Sequence, residues 1–403
     1  MSALDGSLSG VRPALKPGLL PLWRDRDTVQ IGIDPRRAVA LSGMAGAAWL
    51  MSVLDGSRDR DQVIALAAEQ GIPARLSERV LTILAAAGVL NDFPAETLRE
   101  LSAAARSRLA AELATASLAS GDSDGGARTL ARRLGSLVRI HGHGRIATAI
   151  AEILLTSGVA EVEVGLSGDP AAANDDRANG AGADAATRAS ARRIRETGPA
   201  ASAADSPPSS ASQPGQRCPA DALAGRGART RRASPGSATS PGTTRAAARR
   251  RSGGPASGTW QLPDLAILVG QQPPELPGEL VTRRVPHLSA SANEAIGFVG
   301  PLVLPGRTAC LRCLDLARAE RDPAWPLILA QLAGKRPEPL ACDAALATAV
   351  AAQAASQALA FIDAPPGGVT LNGTLELVLP SWQWRRRSWL PRPDCSCRAG
   401  SAG

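Results

Sequence analysis

Four of the six cysteines fall in two close pairs, Cys310-Leu-Arg-Cys313 and Cys395-Ser-Cys397. Two residues between the members of the first pair, set in a turn, let both sulfurs reach one ion, and the second pair supplies two more ligands. Four thiolates satisfy a tetrahedral zinc ion and leave no open position. The chemistry predicted for Cys310, Cys313, Cys395 and Cys397 is therefore structural, closing a long loop between distant parts of the chain. The competing assignment is two pairs of ordinary buried or redox thiols, and a reducing compartment favours the metal. Cys342 precedes an Ala-rich stretch and has the position of a thioester-forming nucleophile. No base stands beside it, and activation needs a lowered pKa and a neighbouring cation, so a small buried thiol is the simpler reading. Cys218 has no inferred role.

A second pattern is Leu137-Val-Arg-Ile-His-Gly142-His-Gly144-Arg-Ile-Ala147, followed by an apolar-periodic stretch to Thr156, then Gly158 and the strand-like Val162-Glu-Val164. It predicts strand, Gly-rich turn, helix, strand. In that setting G-x-G-x-x-A, here Gly142, Gly144 and Ala147, opens a nucleotide-binding βαβ unit, because the glycines let the backbone approach a phosphate at the helix N-terminus. His141 and His143 flank the glycines, but no carboxylate or cysteine joins them at ligand spacing, so they are predicted to be loop side chains. His287 by itself supports no site.

The tail Trp382-Gln-Trp384-Arg-Arg-Arg-Ser-Trp389 interleaves aromatics with arginines. Its alternation predicts an edge strand with indoles packed inward and guanidinium groups solvated. A platform for nucleic acid has the same composition and is the competing reading.

These residues need a framework to position them. A chain of 403 residues has room for two or three domains. Apolar residues make up 44%, yet Tyr is absent and Phe numbers three, which leaves the cores to aliphatic side chains, Ala and seven Trp. No secretory signal and no apolar run of spanning length is read from the sequence, so a cytoplasmic protein without membrane partners is expected. The net charge of +8 is unevenly spread: between Gly165 and Trp260 there are 14 Arg and no Lys against 7 Asp plus Glu. The rest is near neutral, which argues against nucleic acid as a partner. From about 171 to 257 the text is Ala, Gly, Ser, Pro and Arg without a sustained period, and a disordered insert is predicted.

Residues 1–92 read as a small α+β unit. Thr28 to Ile33 alternates as a strand, Asp34-Pro35-Arg36 turns the chain and Ala38 to Leu41 returns it. Ser42 is predicted to cap a helix running to Leu54, Ser57 to Asp61 to open a second, and Ser77 to cap a third carrying Val80, Leu81 and Leu84. This order suits a winged-helix-like unit. Residues 93–136 read as a helical connector. In 137–403, outside the insert, Asp264 to Val269 and Phe298 to Leu304 are predicted buried strands, Ala344 to Phe361 a long helix, and Gly368 to Leu379 leads into a final strand pair. The fold class expected is α/β: a Rossmann-like domain with a C-terminal zinc site, preceded by the α+β winged-helix-like domain.

With these residues in view, the C-terminal half resembles the ThiF, MoeB and HesA adenylyltransferases: G-x-G-x-x-A early, C-x-x-C late and a closing cysteine pair. The runs Leu15-Lys-Pro-Gly-Leu, Gln30-Ile-Gly-Ile-Asp-Pro, Val299 to Cys313 and Arg321-Asp-Pro-Ala-Trp-Pro are similar to actinobacterial ThiF-like proteins. Those bind precursor leader peptides in making thiazole/oxazole-modified microcins. The resemblance implies a PqqD-like recognition element at the N-terminus. There an extended leader peptide would add a strand at the hairpin edge formed by Thr28, Val29, Gln30 and Ile31, backed by Val80, Leu81 and Leu84 of the third helix. Those three also read simply as core.

The adenylating relatives carry an acidic residue after the second strand, another after a later strand for magnesium, and an Arg and a Lys for phosphates. Here Gly165 follows Val164 and Gly270 follows Val269, and the only lysines are Lys16 and Lys335. Arg177 or Arg188 would be weak substitutes. ATP use is accordingly doubtful, since phosphoryl chemistry depends on positioned positive charge. The resemblance implies an adaptor that presents a precursor to a YcaO-type cyclodehydratase, and a homodimer by similarity to the relatives. Two alternatives stand beside it: an active adenylyltransferase acting on a peptide C-terminus, and a DNA-binding regulator.

Overall fold

The computed structural model describes residues 11–43, 46–92, 98, 101–165, 261–332, 340–364 and 368–398. The insert expected at 171–257, with Arg177, Arg188 and Cys218, and also Lys335, lies outside the described residues.

The N-terminal region begins with β1 (Pro13–Leu15), β2 (Pro21–Trp23), β3 (Thr28–Ile31) and β4 (Val39–Ser42). Strands β2, β3 and β4 form an antiparallel sheet in that order, so β3 is its centre, hydrogen-bonded on both sides. Alternation on β3 sends Val29 and Ile31 inward, where they are 2% and 0% exposed. Helices α1 (Ala47–Val53), α2 (Arg60–Glu69) and α3 (Ala74–Ala86) cover that face, and β5 (Leu90–Asp92) returns to pair antiparallel with β1.

Two caps differ from expectation. Ser42 ends β4 and α1 starts from Gly46. Ser77 lies inside α3, fully buried, while Pro73 occupies the cap position. Proline's fixed φ suits a helix entry, which made Ser77 one turn too late a choice. Helix α2 does open on a reciprocal capping box, with the Asp59 carboxylate accepting from the Gln62 amide and the Gln62 side chain accepting from the Asp59 amide.

Among its described residues the connector holds three helices, α4 (Ala103–Arg108), α5 (Ala110–Ser120) and α6 (Ala127–Leu134). Two buried cations tie it to its neighbours. Lys16, just after β1, is 1% exposed and donates through Nζ to the carbonyls of Ser117 (2.6 Å) and Asp122 (2.7 Å). Burial lowers its pKa against the pull of Asp122 and Asp124. Arg133 of α6 donates bidentately to Asp363 (2.9 and 2.7 Å), to Glu112 (3.1 Å) and to the Ser157 carbonyl (2.9 Å).

The remainder is built on one seven-stranded sheet, ordered β12-β11-β10-β9-β8-β6-β7. Strands β7 (Glu161–Gly165), β6 (Leu137–His141), β8 (Leu265–Val269) and β9 (His287–Asn293) are parallel. Strands β10 (Ile296–Val303), β11 (Gly373–Val378) and β12 (Gln383–Ser388) continue antiparallel. Strand β8 is apolar throughout and fully buried, as a central strand covered on both faces must be. One face packs against α7 (Gly144–Thr156) and α11 (Ala344–Asp363). Five alanines on one face of α11, Ala347, Ala351, Ala354, Ala355 and Ala358, are 0–3% exposed. Their small side chains bring the helix close to the sheet, to the point where a Cβ on Gly297 would lie 2.4 Å from Val350. Helix α11 is long and apolar enough by composition to cross a membrane, contrary to the reading that no such run exists. Its buried face belongs to the main core. The other face of the sheet carries α8 (Glu275–Thr282), α9 (Leu311–Arg321) and α10 (Trp325–Leu332).

Candidate functional site

The cysteine pairs converge. Cys310 is the N-cap of α9 and Cys313 lies in its first turn, so the C-x-x-C is a helix start rather than an isolated turn. Cys395 and Cys397 arrive on the tail, with Cys397 inside a short 3₁₀ turn, Ser396–Arg398. The Sγ atoms lie 3.8 Å apart for Cys310 and Cys313, 3.6 Å for Cys310 and Cys395, and 3.6 Å for Cys313 and Cys397, all four within 4.8 Å of one another. A tetrahedron with metal–sulfur bonds of about 2.3 Å has edges of about 3.8 Å, so the four sulfurs already stand at the corners a metal ion requires. All four residues are buried, at 1–8% exposure. Burial pushes the Cys310 thiol up to about 12 and raises Cys397 as well. Cys313 is lowered: burial opposes the shift, but amide donors, chiefly that of Arg392, outweigh it. That amide lies 3.4 Å from the sulfur, the kind of outer contact that stabilises a bound thiolate. A metal entering this set displaces protons and closes the site on all sides.

The glycine turn also forms as predicted. β6 ends at His141, and α7 starts at Gly144 without a side-chain cap, leaving its first amides directed outward. Gly142 (φ +125) and Gly144 (φ +84) have backbone conformations that side chains rarely adopt. A Cβ on Gly142 would meet the Val269 carbonyl at 2.4 Å. Ala147, fully buried, seats the helix on the sheet. The strand ends beside this turn carry no charge. β7 finishes at Gly165 and β8 runs into Gly270, both without a side chain at the places where acidic residues were expected. In their stead Gln272 donates to the carbonyls of Val269 (2.7 Å) and His141 (3.1 Å), bridging the ends of β8 and β6. Lys16 is spent in the connector, and His141 is held below its usual pKa, mainly by burial and secondarily by Arg139. The turn has the backbone of a phosphate seat, and among the described residues neither strand end beside it carries a carboxylate.

From Gly142 to the cysteine corner runs a cleft of about 1470 Å³. Its floor includes Ser289, Ser291 and Asn293, alternate residues of β9, and its walls include Arg318 of α9 and Trp325 of α10. Arg318 lies over the ring of Trp325 (5.0 Å) and over that of Trp389 (5.5 Å), and Trp325 donates to Asp315 (3.2 Å). None of this was read from the sequence, although His287-Leu-Ser-Ala-Ser-Ala-Asn293 alternates polar and apolar residues in the open.

Other predicted residues are placed differently. The tail does form an edge strand, β12, but only Trp389 is packed (4% exposed); Trp382 and Trp384 are 46% and 36% exposed. Cys342 is half-buried, its pKa raised by burial and then by Asp343, which opposes nucleophile activation. Of the peptide-contact set, Val29, Ile31, Val80, Leu81 and Leu84 form one core cluster at 0–2% exposure, and Thr28 and Gln30 share a strand whose two edges are taken. Residues Thr28 to Ile31 therefore cannot accept a further strand, and the three helix residues act as packing.

No family model matches the chain, and no curated protein matches it in sequence. Solved structures do. E. coli MccB bound to AMPCPP and selenomethionine MccA aligns at 14% identity over 96% of this chain and 99% of that one, with a TM-score of 0.57. The microcin C7 biosynthetic enzyme MccB in complex with N-formylated MccA gives 14% identity and 0.58 over the same shares. The fold is that of MccB. The heterocyclase TruD aligns at 15% identity over 96% of this chain and 42% of its own, with a TM-score of 0.53. At these identities the likeness is one of fold.

Proposed function

We propose that this chain is a leader-peptide-binding adaptor in the making of a ribosomally produced, modified peptide, and that it presents the precursor to a separate YcaO-type cyclodehydratase. The observation that carries this reading is a contrast: an N-terminal sheet with an open edge stands in a chain whose nucleotide turn has lost its acidic partners. Likeness in fold to MccB, solved with its MccA peptide, and to the heterocyclase TruD supports the same direction.

The winged-helix-like unit would take the leader at β4. Pairing phase decides between the two free edges. The Gly43 amide bonds the Asp27 carbonyl and the Gly32 amide bonds the Leu20 carbonyl, which turns the backbones of Ala40 and Ser42 outward on β4, and those of Pro21 and Trp23 outward on β2. Proline has no amide to give. Strand β4 thus offers two outward donors and β2 one, and main-chain pairing supplies affinity in this mode of recognition. Half-buried Val39 of β4 and Leu76 and Ile83 of α3 remain available for side-chain contacts.

The metal at the cysteine corner is zinc in this reading, structural and not catalytic. Titration calorimetry with the precursor peptide encoded beside this chain tests the proposal. Micromolar binding that Ala40→Pro weakens at least tenfold is expected; absence of binding removes the adaptor reading. A second reading, an active adenylyltransferase, rests on Gly142 and Gly144 at the start of α7. Substrate-dependent ATP–pyrophosphate exchange would establish it.

A further inference from the structure

Strand β12 closes one side of the seven-stranded sheet, and among the described residues nothing pairs with its outer edge. All six of its residues, Gln383 to Ser388, are exposed. The Trp389 amide bonds the Asn372 carbonyl, which fixes the phase of the ladder with β11. Gln383, Arg385 and Arg387 exchange hydrogen bonds with β11, while Trp384, Arg386 and Ser388 turn their amides and carbonyls outward. An unpaired row of this kind is a template for another extended chain.

The side chains give that template a charge. Arg387 is committed to Glu376 (3.0 Å) and lies over the Trp389 ring. Arg386 donates to the carbonyls of Val369 (2.8 Å) and Leu371 (3.0 Å), so no carboxylate offsets it. Among the described residues the Arg385 side chain makes no hydrogen bond or ion pair, although it lies opposite Glu376. The edge therefore carries two uncompensated positive charges beside the exposed indoles of Trp382 and Trp384.

We propose that the outer edge of β12 docks an extended acidic peptide strand of a partner protein, joined by main-chain hydrogen bonds at Trp384, Arg386 and Ser388 and by carboxylates facing Arg385 and Arg386. Charge selects among the possible occupants. A second copy of this chain, pairing antiparallel through the same edge, would set arginines against arginines, and like charges directly opposite destabilise a strand pair. A single-stranded nucleic acid needs a run of cations along its backbone and cannot use an open amide ladder; here only Arg385 is uncommitted. An acidic strand satisfies both the ladder and the charge. This surface belongs to the antiparallel end of the sheet and does not depend on leader binding at β4.

Fluorescence anisotropy with the full chain tests the proposal. The probes are a labelled (Glu-Val-Glu-Thr)2 peptide, its Lys counterpart, the Glu peptide N-methylated on alternate residues in either phase, and oligothymidine. Saturable binding of the Glu peptide is expected, with loss of at least tenfold in both N-methylated forms. Arg385 stands opposite Glu376, which Arg387 already pairs, so Arg385→Gln, which sets no like charge against Glu376, should leave the melting curve unchanged while it weakens the Glu peptide at least tenfold and removes its preference over the Lys peptide. Equal binding of the N-methylated peptides, tighter binding of oligothymidine, insensitivity to Arg385→Gln, or no binding at all would each overturn it.

Discussion

The cysteine corner and the glycine turn lie along one cleft and were both legible as motifs, yet they differ in what the folded chain adds to them. At the corner the function resides in side chains, and folding brings four sulfurs to metal-ligand spacing. At the turn the function would reside in backbone, and folding reproduces that backbone: positive φ at Gly142 and Gly144, and an uncapped helix start. Among the described residues the strand ends beside the turn add no charge, with Gly165 and Gly270 in place there. A motif made of glycines can form as architecture whether or not charges stand beside it, whereas a motif made of ligands has no architecture to fall back on.

Removing a ligand should therefore have the largest effect of any change considered. Cys313→Ser is expected to abolish stoichiometric zinc and to destabilise the C-terminal half by more than about 4 kcal/mol, since metal binding and folding are coupled at such sites. Metal analysis together with a thermal melt checks this; a zinc-free protein with an unchanged melt would place the corner with ordinary buried thiols. Next in size is Arg133→Ala, which leaves Asp363 and Glu112 without their cation. Only the guanidinium is buried while Asp363 and Glu112 keep 24% and 34% exposure, so the loss is discounted for solvent screening from the cost of stripping a fully buried pair to about 3 kcal/mol, to be read as a shift of the urea midpoint.

What the sequence disclosed follows the same division. Spacing rules found the cysteines, and period and punctuation found β6, α7, β8 and α11, because each is a local pattern in a long element. Strand β2 escaped notice because three residues, Pro21-Leu-Trp23, are too few to show a period. Its presence makes β3 a central strand, which moved the peptide-addition expectation off Thr28, Val29, Gln30 and Ile31. The cleft was invisible for another reason: Ser289, Arg318 and Trp325 meet only through sheet order and helix packing, which no linear spacing encodes.

The cleft-side face of the sheet allows a sharper test of how dry this region is. His287 begins β9 fully buried; its Nδ1 lies 3.0 Å from the Val285 carbonyl and its Nε2 has no partner. Burial drives its pKa from 6.5 to about 4, with the Val285 carbonyl opposing and His141 reinforcing the shift. The unfolded chain binds this proton and the folded chain does not. The contribution is therefore intact above pH 6.5 and lost as pH falls toward 4, amounting to about 3 kcal/mol across that window. His287→Asn should flatten the dependence of the urea midpoint between pH 7 and 5, and comparison with the parent separates it from thiolate protonation at the metal corner. A parent protein with no such slope would mean that water reaches this imidazole. Smaller again is Gly142→Ala, which forces a strained backbone and a shift of Val269 for about 1–3 kcal/mol; Gly144→Ala, with nothing within 4 Å, should cost less.

The weakest expected effect on stability is the most informative about the turn. If the glycine framework is a phosphate seat that lacks only charge, placing carboxylates at the two strand ends should strengthen nucleotide binding. Gly165→Asp places an acid after β7, with nothing within 4 Å of the new Cβ, and Gly270→Asp does the same after β8. The second position has φ +73, which Asp tolerates better than most residues, at about 1 kcal/mol. The double variant should bind ATP in the presence of magnesium at least tenfold more tightly than the parent, measured by equilibrium dialysis, while the melt falls only slightly. A double variant that folds and binds no better would mean that the turn has drifted from a phosphate-binding geometry and that the glycines serve only the close approach of β6 to Val269; tighter binding by the parent itself would mean instead that the turn needs no carboxylates at these ends.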